Sequence, residues 1–339
     1  MDRSQYYITV RQEVSRAMNL HARNNEAILG AVILASLTNS YVEGSAEFVN
    51  SCSGQTVRNH LRRQDPSGLI RVNDDVVTKL WSMGAFSGKR ILAIDTHDVM
   101  YYGDPAAEGV VGTQPKRGSH WAYKFGSIAV LLGGERLTLA AVPVLRGEPR
   151  VGHVRGLIEH ALSLGIRPRL VLLDAAYNST GVIGYLNSTG VRYIIRIASP
   201  LEGIRPGDDF VYRTRGHRRR ENEQATFRLV AINGRDRSGK VRLFVFATNT
   251  DLTPRRIRML FRKRWGIETS YRMINKFLAR TTTKLYAVRR LYFYLAILLY
   301  NVWVMLNYNE DRIVVADSLK LYAIVALILS FIPDIEGGG

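Results

Sequence analysis

The chain has 339 residues and carries 47 Lys and Arg against 29 Asp and Glu, a net charge of +18. This length is typical of two or more folding units. Because 46% of the residues are apolar and there is a single Cys, the composition excludes a mainly disordered chain, an internal disulfide framework and a Cys-based zinc finger. The first twenty residues hold no apolar run of the signal-peptide type, which favours an intracellular protein with a polyanionic partner.

Helical patterns dominate the N-terminal part of the chain. Residues 5–37 carry an apolar rhythm that predicts one or two helices. Residues 45–64 predict a helix, a short turn and a second helix, with Ser53 as N-cap and with Val57 and Leu61 facing inward. The other faces of this second helix carry side chains suited to a DNA recognition helix, namely Arg58, Asn59, Arg62 and Arg63. An amphipathic surface helix without DNA contacts has the same pattern, so both interpretations stay open.

The next part of the chain predicts a mixed sheet. Residues 86–94, 123–132 and 136–145 are strand-like, and two glycines between the last two runs predict a hairpin turn. Four alternating elements come next in the chain: a helix over 151–165, a buried strand over 169–174, a helix over 181–190 and a strand over 191–197. We therefore expect an antiparallel meander of three strands that continues into parallel crossover units.

Residues 201–248 interrupt this order with short alternating runs, which predict a small antiparallel β insertion carrying the basic loop 213–220. A helix then begins at Pro254 and is expected to continue unbroken to residue 278. Residues 211–290 hold 22 basic and 5 acidic side chains. This concentration favours a nucleic-acid surface over a merely solubilising one.

Two uncharged runs lie near the end of the chain, at residues 291–309 and 321–333. The first is long enough to suggest a membrane span. It contains Asn301 and Asn307, and no other segment resembles a membrane protein, so we predict a buried core helix and no membrane partner. For the second run we predict a packing or dimerisation helix.

Three acidic residues form the constellation that points to chemistry. Asp95 and Asp174 each follow an apolar strand, and Glu268 lies on the helix after the insertion. Carboxylates in such places are costly unless they are solvated, paired or bound to metal. Together they make an oxygen-rich site for one or two Mg²⁺ ions, which stabilise the attacking and leaving oxygens in phosphoryl transfer.

Each acid taken alone has a simpler interpretation. Asp95 can cap a turn, Asp174 can cap the following helix, and Glu268 can pair with Arg264 or Arg272 on its own helix. The order of the strands and the basic surroundings favour the joint metal site over these separate roles.

The segment LFRKRWGIETSYR, residues 260–272, resembles the DDE transposases of bacterial and archaeal insertion sequences, in the group with a Tyr-x2-Arg-x3-Glu-x6-Lys signature and a β-rich insertion. Matches to the Arg-Trp-x-Ile-Glu core of that group are Arg264, Trp265, Ile267 and Glu268. Asp95 and Asp174 match its two aspartates, and FATNT at 246–250 resembles the strand before the helix. The signature Tyr falls on Phe261, and the signature Lys falls on Asn275, one place before Lys276.

This resemblance covers roughly residues 86–306. It implies an α/β fold with a ribonuclease H-like mixed sheet and a small antiparallel β insertion, preceded by an all-helical N-terminal DNA-binding domain. The domains that we expect are an end-binding domain with a helix-turn-helix (1–85), the first part of the catalytic core (86–200), the basic β insertion (201–248), the second part of the core (249–306) and a C-terminal helical segment (307–339).

The resemblance also implies an enzyme that holds Mg²⁺, or Mn²⁺ in its place, on Asp95, Asp174 and Glu268. Water frees a 3′-OH at the element end, and that 3′-OH attacks target DNA. The implied partners are element-end DNA and target DNA, handled by a homodimer that is cytoplasmic and associated with the nucleoid. Two alternatives are a metal-dependent nuclease or resolvase on the same core, and a non-catalytic DNA-binding regulator.

Candidate DNA contacts come from the basic patterns and from the resemblance. Tyr177, three residues after Asp174, is expected to stack on an unpaired base. The full set is Arg58, Asn59, Arg62, Arg63, Tyr177, Arg215, Arg218, Arg219, Arg220, Arg264, Arg272 and Lys276.

Overall fold

The structure is a computed structural model that describes residues 4–18, 20, 24–49, 52–86, 90–116, 118–132, 135–198, 202–214, 224–236, 238–308 and 315–329. By its packing the chain forms two compact units, Met1–Ala85 with Ser270–Gly339, and Phe86–Thr269. The first unit therefore includes residues 270–306, which we expected in the catalytic core. The division of the chain by function stays a prediction.

The described residues contain eleven α-helices. They are α1 (Ser4–Ala17), α2 (Asn25–Thr38), α3 (Val42–Val49), α4 (Gly54–Leu61), α5 (Ser67–Ser82), α6 (Arg150–Ser163), α7 (Thr180–Ser188), α8 (Pro254–Arg262), α9 (Trp265–Lys276), α10 (Tyr286–Leu306) and α11 (Ala316–Leu329). The boundary between the two units falls inside α9.

The helix-turn-helix pattern is confirmed as local structure. Ser53 caps α4 because its hydroxyl accepts a hydrogen bond from the Thr56 N–H at 3.1 Å, and Val57 and Leu61 are fully buried. Helices α1 and α2 are two separate elements, whereas the pattern allowed one or two. The sequence did not predict α5, which packs against α1 and α10.

Helix α10 confirms the core-helix prediction, because it is buried along nearly its whole length. Asn301 in its second half donates an amide hydrogen bond to the Asn73 side chain of α5 at 2.6 Å. This polar side chain is therefore satisfied inside the helical unit. None of the helices among the described residues is both long and apolar enough for a membrane span.

The second unit is built on a mixed sheet that has nine strands among the described residues. They are β1 (Ile91–Tyr101), β2 (Val110–Lys116), β3 (Ser119–Leu132), β4 (Glu135–Pro143), β5 (Leu170–Leu173), β6 (Tyr193–Ile197), β7 (Asp209–Arg213), β8 (Thr226–Arg235) and β9 (Val241–Thr248). The order is β2-β3-β1-β5-β6-β9-β8-β7, with β4 also paired to β3. Strands β1, β5 and β6 are parallel and the other pairs are antiparallel. This confirms the ribonuclease H-like fold class.

Strand β1 is longer than the sequence predicted. We expected it to end before Asp95, but it continues to Tyr101. The reason is its partner on the other side, since β3 stays paired with β1 from Leu92↔Val130 to Tyr101↔Trp121. Strand β2, which was not predicted, pairs with the first part of β3.

The strands of the predicted insertion are antiparallel, as expected, and they extend the core sheet. Strand β9 pairs with β6 from Ile194↔Thr248 to Ile197↔Val245. Strands β8 and β7 then follow outward to the edge. The sequence alone did not indicate this continuity.

The helix expected from Pro254 to residue 278 is wrong in one respect, because it breaks after Arg262. Pro254 is its first residue and Thr253 its N-cap, as the pattern indicates. At the break the N–H groups of Lys263 and Arg264 donate to carbonyls three residues back. Such tightened turns between helical segments are typical of hinges and functional sites.

Candidate active site

The ends of two parallel strands bring Asp95 and Asp174 together. Strands β1 and β5 are in register, with Ile94 paired to Leu173, so each aspartate is the residue directly after the last parallel pair. The Asp174 N–H also donates to the Ile94 carbonyl at 3.3 Å. Asp174 follows the last residue of β5 and Asp95 lies beside it within β1, so both carboxylates lie where the parallel pairing of the two strands ends.

Glu268 and Arg264 reach the same place from the helices. Glu268 lies in the first turn of α9, where the helix dipole favours a negative charge. Arg264 lies in the break between α8 and α9. The Lys263 carbonyl in this break accepts a hydrogen bond from the guanidinium of Arg136 on β4 at 3.3 Å, which ties the turn to the sheet.

One guanidinium contacts all three acids. Arg264 Nη1 donates a hydrogen bond to Asp95 Oδ2, and Arg264 Nη2 lies 3.2 Å from Asp174 Oδ1 and 3.9 Å from Glu268 Oε1. The side chains of Arg264 and Asp95 are 7% and 8% exposed, against 31% for Asp174 and 42% for Glu268. The cluster is therefore closed at Asp95 and open to solvent at Glu268.

The separate roles considered for each acid do not account for this arrangement. Asp174 occupies the N-cap position of a short 3-10 helix, yet its side chain makes no capping hydrogen bond. Glu268 is an ion-pair partner of Arg264 on its own segment, but at the longest of the three distances. Asp95 accepts one hydrogen bond from the Thr96 N–H at 2.8 Å and has its other oxygen on Arg264.

Burial raises the pKa of Asp95 to about 7, and the neighbouring carboxylates of Asp174 and Glu268 act in the same direction. Arg264 and the Thr96 N–H lower the pKa of Asp95, but the cost of burying the charge is larger. The charge of Asp95 therefore changes near neutral pH. Perturbed groups of this kind are typical of functional sites.

The donor set fits a hard divalent cation. Mg²⁺ prefers oxygen ligands, and the three carboxylates offer them at a partly open site. No group of three such side chains among the described residues is spaced around a common point as metal ligands, and the three acids contact the Arg264 guanidinium instead. The chemistry of the ligands thus suits Mg²⁺, whereas their present spacing is that of an arginine site.

The expectation for Tyr177 needs correction. Its side chain is fully buried, so the ring has no exposed face on which an unpaired base could stack. The hydroxyl lies against the backbone of Gly126 on β3, where a Cβ atom would stand 2.6 Å from it. Burial also raises the pKa of Tyr177, which keeps the phenol neutral. Tyr177 is a core residue beside the site.

The candidate DNA contacts of the helical unit differ in accessibility. Arg58 forms an ion pair with Glu43 of α3, and the Asn59 side chain accepts a hydrogen bond from Gln55 at 2.9 Å. Arg62 and Arg63, in the turn after α4, are exposed. The structure therefore leaves these last two arginines better placed for phosphates than Arg58.

The remaining candidates lie on α9 or in the basic loop. Lys276 pairs with Asp317 of α11 at 2.6 Å, and Arg272 is exposed one turn earlier on α9. Arg215, Arg218, Arg219 and Arg220 lie outside the described residues.

The sequence patterns did not identify Arg196, whose position on β6 corresponds to that of Asp174 after β5. Strand β6 is parallel to β5 with Leu173 paired to Ile195, so Arg196 follows that pair as Asp174 does. Burial lowers the pKa of Arg196, and the Asp174 carboxylate opposes this shift. The signal that indicates it is a charged residue after an apolar run, which recurs in ILAID, LVLLD and YIIR.

A second missed feature is the outer face of α8, which adjoins Arg264 in the chain. Four cations on this stretch are exposed, namely Arg255, Arg256, Arg262 and Lys263. Their spacing of i, i+1, i+7 and i+8 places them on one side of a helix. We call these four residues the α8 cationic face.

Comparison with known proteins agrees with this geometry. A family model described as a transposase DDE domain matches residues 87–302, well over half of the chain. Among solved structures, the chain is similar to a piggyBac transposase in a cryo-EM structure of its synaptic complex with hairpin DNA, with a TM-score of 0.54 and 14% identity over 99% of this chain and 74% of that one. At this identity the similarity concerns the fold. A comparison with curated proteins finds no match.

Proposed function

Since the chain belongs to the family of transposase DDE domains, whose members are nucleases and strand transferases, we propose that it cleaves the ends of a mobile DNA element and joins the freed 3′-OH to target DNA. One observation carries this proposal. Asp95, Asp174 and Glu268, far apart in the sequence, all contact one guanidinium, that of Arg264, beside the parallel pairing of β1 and β5.

In this proposal Asp95, Asp174 and Glu268 hold Mg²⁺, for which Mn²⁺ can substitute. Bound ions of this kind activate the attacking oxygen and stabilise the leaving oxygen. The protein supplies position: the sheet fixes the two aspartates, and α9 brings Glu268 to them from the helix side. Arg264 contacts the acids and Arg196 is influenced by the Asp174 carboxylate, and the guanidinium groups of both suit a phosphodiester.

The DNA path that we propose has two parts. The α8 cationic face lies next to Arg264 in the chain and would hold the phosphates flanking the scissile bond. In the helical unit, the turn after α4 with Arg62 and Arg63 would contact the element end. Phosphate contacts fix register, whereas bases are read by side chains that enter the groove, a role that we give to α4 and to Arg62 and Arg63 in the turn after it.

The finer expectations belong to the same proposal. They are membership of the insertion-sequence group, action as a homodimer that holds two ends together, and a cytoplasmic, nucleoid-associated location. The Tyr-Arg-Glu-Lys signature supports the first in part, since Arg264 and Glu268 are present but the other two signature positions hold Phe261 and Asn275.

The proposal is tested with the purified full-length chain and labelled DNA that carries the sequences flanking its own gene. Cleavage at the end and joining to a target plasmid are measured with Mg²⁺, Mn²⁺ or EDTA. Asp174→Asn removes one acid of the cluster, and Glu159→Gln removes an exposed acid of α6 as a matched control.

We expect metal-dependent cleavage and joining in the parent and in Glu159→Gln, and a loss of at least about 10³-fold in Asp174→Asn, the scale on which removal of a key group acts. Cleavage without any joined product would instead favour the nuclease alternative. Salt-sensitive end binding with no cleavage in either metal would favour the regulator.

A further inference from the structure

Arg264 occupies the middle of the acid cluster, and its contacts weaken in a definite order. It donates a hydrogen bond to Asp95, lies 3.2 Å from Asp174 and lies 3.9 Å from Glu268. A planar guanidinium with a fixed fork of donors satisfies one or two carboxylates well. The third contact is therefore loose, and it is the one at the open end of the cluster.

The charge balance of the cluster is incomplete. Three ionised carboxylates carry three negative charges, and Arg264 supplies one positive charge. The two remaining negative charges are what a divalent cation neutralises. A small hard cation also gains more from three oxygen ligands than a guanidinium does. Arg264 and a bound ion thus compete for the same carboxylate oxygens.

Arg264 is also held in a way that allows it to leave. Its backbone lies in the break between α8 and α9, where its N–H donates to the Phe261 carbonyl and its carbonyl accepts from the Ile267 N–H, so the side chain is the part that can move. Its buried Nε atom has no hydrogen-bond partner among the described residues, so only the outer end of the fork is fixed. The Phe261 ring, 5.3 Å from the guanidinium carbon, offers the displaced side chain an aromatic surface.

From these contacts we propose that Arg264 is a built-in counter-ion of the acid cluster, which holds Asp95, Asp174 and Glu268 together in the metal-free protein and withdraws when a divalent cation binds. The inference rests on the metal site of the proposed function. Arg264 is here a positioning residue: it keeps like charges together at the rigid sheet edge and opposes metal binding until the ion displaces it.

The test is the affinity for Mn²⁺, measured by isothermal titration calorimetry on the full-length protein without DNA, at one fixed pH of 8. Arg264→Gln removes the counter-ion. Arg167→Gln removes the same charge from an exposed arginine before β5 and is the matched control for general electrostatics. Asp174→Asn identifies the site, because it removes a ligand of the proposed ion.

We expect Arg264→Gln to bind Mn²⁺ at least tenfold more tightly than the parent, and Arg167→Gln to bind within about twofold of it. If Arg264 only preorganised the ligands, its removal would weaken binding. Affinity in Arg264→Gln that equals or falls below that of the parent therefore overturns the inference, while the proposed metal site stands as long as Asp174→Asn reduces binding.

Two further measurements cover the remaining outcomes. If Arg264→Gln does not fold, Arg264→Lys takes its place, because its ammonium keeps the charge but lacks the planar fork of paired donors, and a few-fold tighter binding is expected. Weaker binding in Arg264→Lys overturns the inference. Binding that is unaffected by Asp174→Asn shows that the ion is elsewhere and overturns both the inference and the proposed metal site.

Discussion

Asp95 combines two opposing influences on its charge. Its side chain is almost fully buried, which favours the protonated form, while Arg264 favours the ionised form. Burial wins, and the pKa of Asp95 is raised to about 7. In the unfolded chain the same carboxyl ionises near its ordinary pKa of about 4, so between these two values the folded protein binds one proton more than the unfolded chain.

A pH dependence of stability follows from this difference. Because the folded state holds the extra proton, the contribution of Asp95 to stability is full below pH 4 and declines as the pH rises toward 7. We expect the free energy of unfolding of the parent, relative to Asp95→Asn, to fall by about 1.4 kcal/mol per pH unit between pH 5 and 6. Urea unfolding in EDTA measures it, with Glu159→Gln as control. Parallel pH profiles in the parent and Asp95→Asn would contradict the shifted ionisation.

Gly126 and Tyr177 form a second residue-scale pair. A Cβ at Gly126 would stand 2.6 Å from the Tyr177 hydroxyl, and that hydroxyl is buried with no hydrogen-bond partner among the described residues. We expect Gly126→Ala to destabilise the protein by about 1 to 3 kcal/mol, the range for overpacking. In a Tyr177→Phe background the cost should fall by at least half, because the colliding oxygen is gone.

The control for this pair is Gly112→Ala in β2. There the added Cβ meets its nearest neighbour, the Trp121 ring, at 3.8 Å, which is an ordinary contact, so we expect little change in stability. Urea unfolding of the two single variants and the double variant forms a double-mutant cycle. Strict additivity in that cycle would show that Gly126 and Tyr177 do not meet.

At the scale of elements, the apolar runs before Asp95 and Asp174 predicted two neighbouring parallel strands, and the structure confirms them. The signal was sufficient because both runs are buried and continuous. The extension of β1 beyond Asp95 could not be predicted, since it depends on pairing with β3. The residues after Asp95 form no continuous apolar run that would indicate a buried strand.

The break at Lys263 and Arg264 shows a different limit. The apolar spacing from Pro254 to residue 278 is compatible with one helix, and no Gly or Pro marks the turn itself. The contacts at the break are tertiary: Arg264 contacts the acids, and Arg136 donates to the Lys263 carbonyl, which also accepts from the Gly266 N–H. The sequence therefore predicted the three acids and offered Arg264 as a partner of Glu268, but it did not predict the contacts of Arg264 with Asp95 and Asp174.

Helix α8 presents the clearest surface for DNA in the second unit. The pairs Arg255–Arg256 and Arg262–Lys263 lie seven residues apart, or about 10 Å along the axis, and all four side chains are exposed. Each phosphate that a cation neutralises makes log K fall by about 0.9 per unit of log salt. The contribution of such a helix face to DNA binding is therefore measured by the salt dependence of the binding constant.

We expect the double variant Arg255→Gln, Arg256→Gln to bind DNA with a salt slope that is less steep by about 2, whatever the sequence of the DNA. The matched control is Arg167→Gln, Arg169→Gln, which removes two exposed arginines before β5, at the end of that strand opposite to Asp174. Fluorescence anisotropy at several salt concentrations measures both. Equal slopes in the two double variants would remove α8 from the DNA path.

At the scale of the whole molecule, the two units carry different chemistry. The three acids and Arg264 all belong to the unit Phe86–Thr269, whereas α3 and α4 belong to the helical unit. If the helical unit selects the element end and the other unit cuts, the two properties are separable by mutation. The preference for the element end tests the helical unit, and the affinity for Mn²⁺ tests the unit that holds the acids.

Arg62 and Arg63 are the residues on which this separation is best tested, because both are exposed in the turn after α4 and neither is near the acids in the chain. We expect the variants Arg62→Gln and Arg63→Gln to lower the preference for the element end over unrelated DNA. Where the side chain contacts a base edge, the preference should fall by tenfold or more, because one such contact contributes about 1 to 3 kcal/mol of discrimination. Affinity for Mn²⁺ should not change.

Arg71→Gln, which removes an exposed arginine of α5, is the control and should leave the preference intact. If all three variants lower affinity for both DNAs by the same factor, the turn after α4 contacts phosphates alone, and the reading of the end must be assigned to other residues.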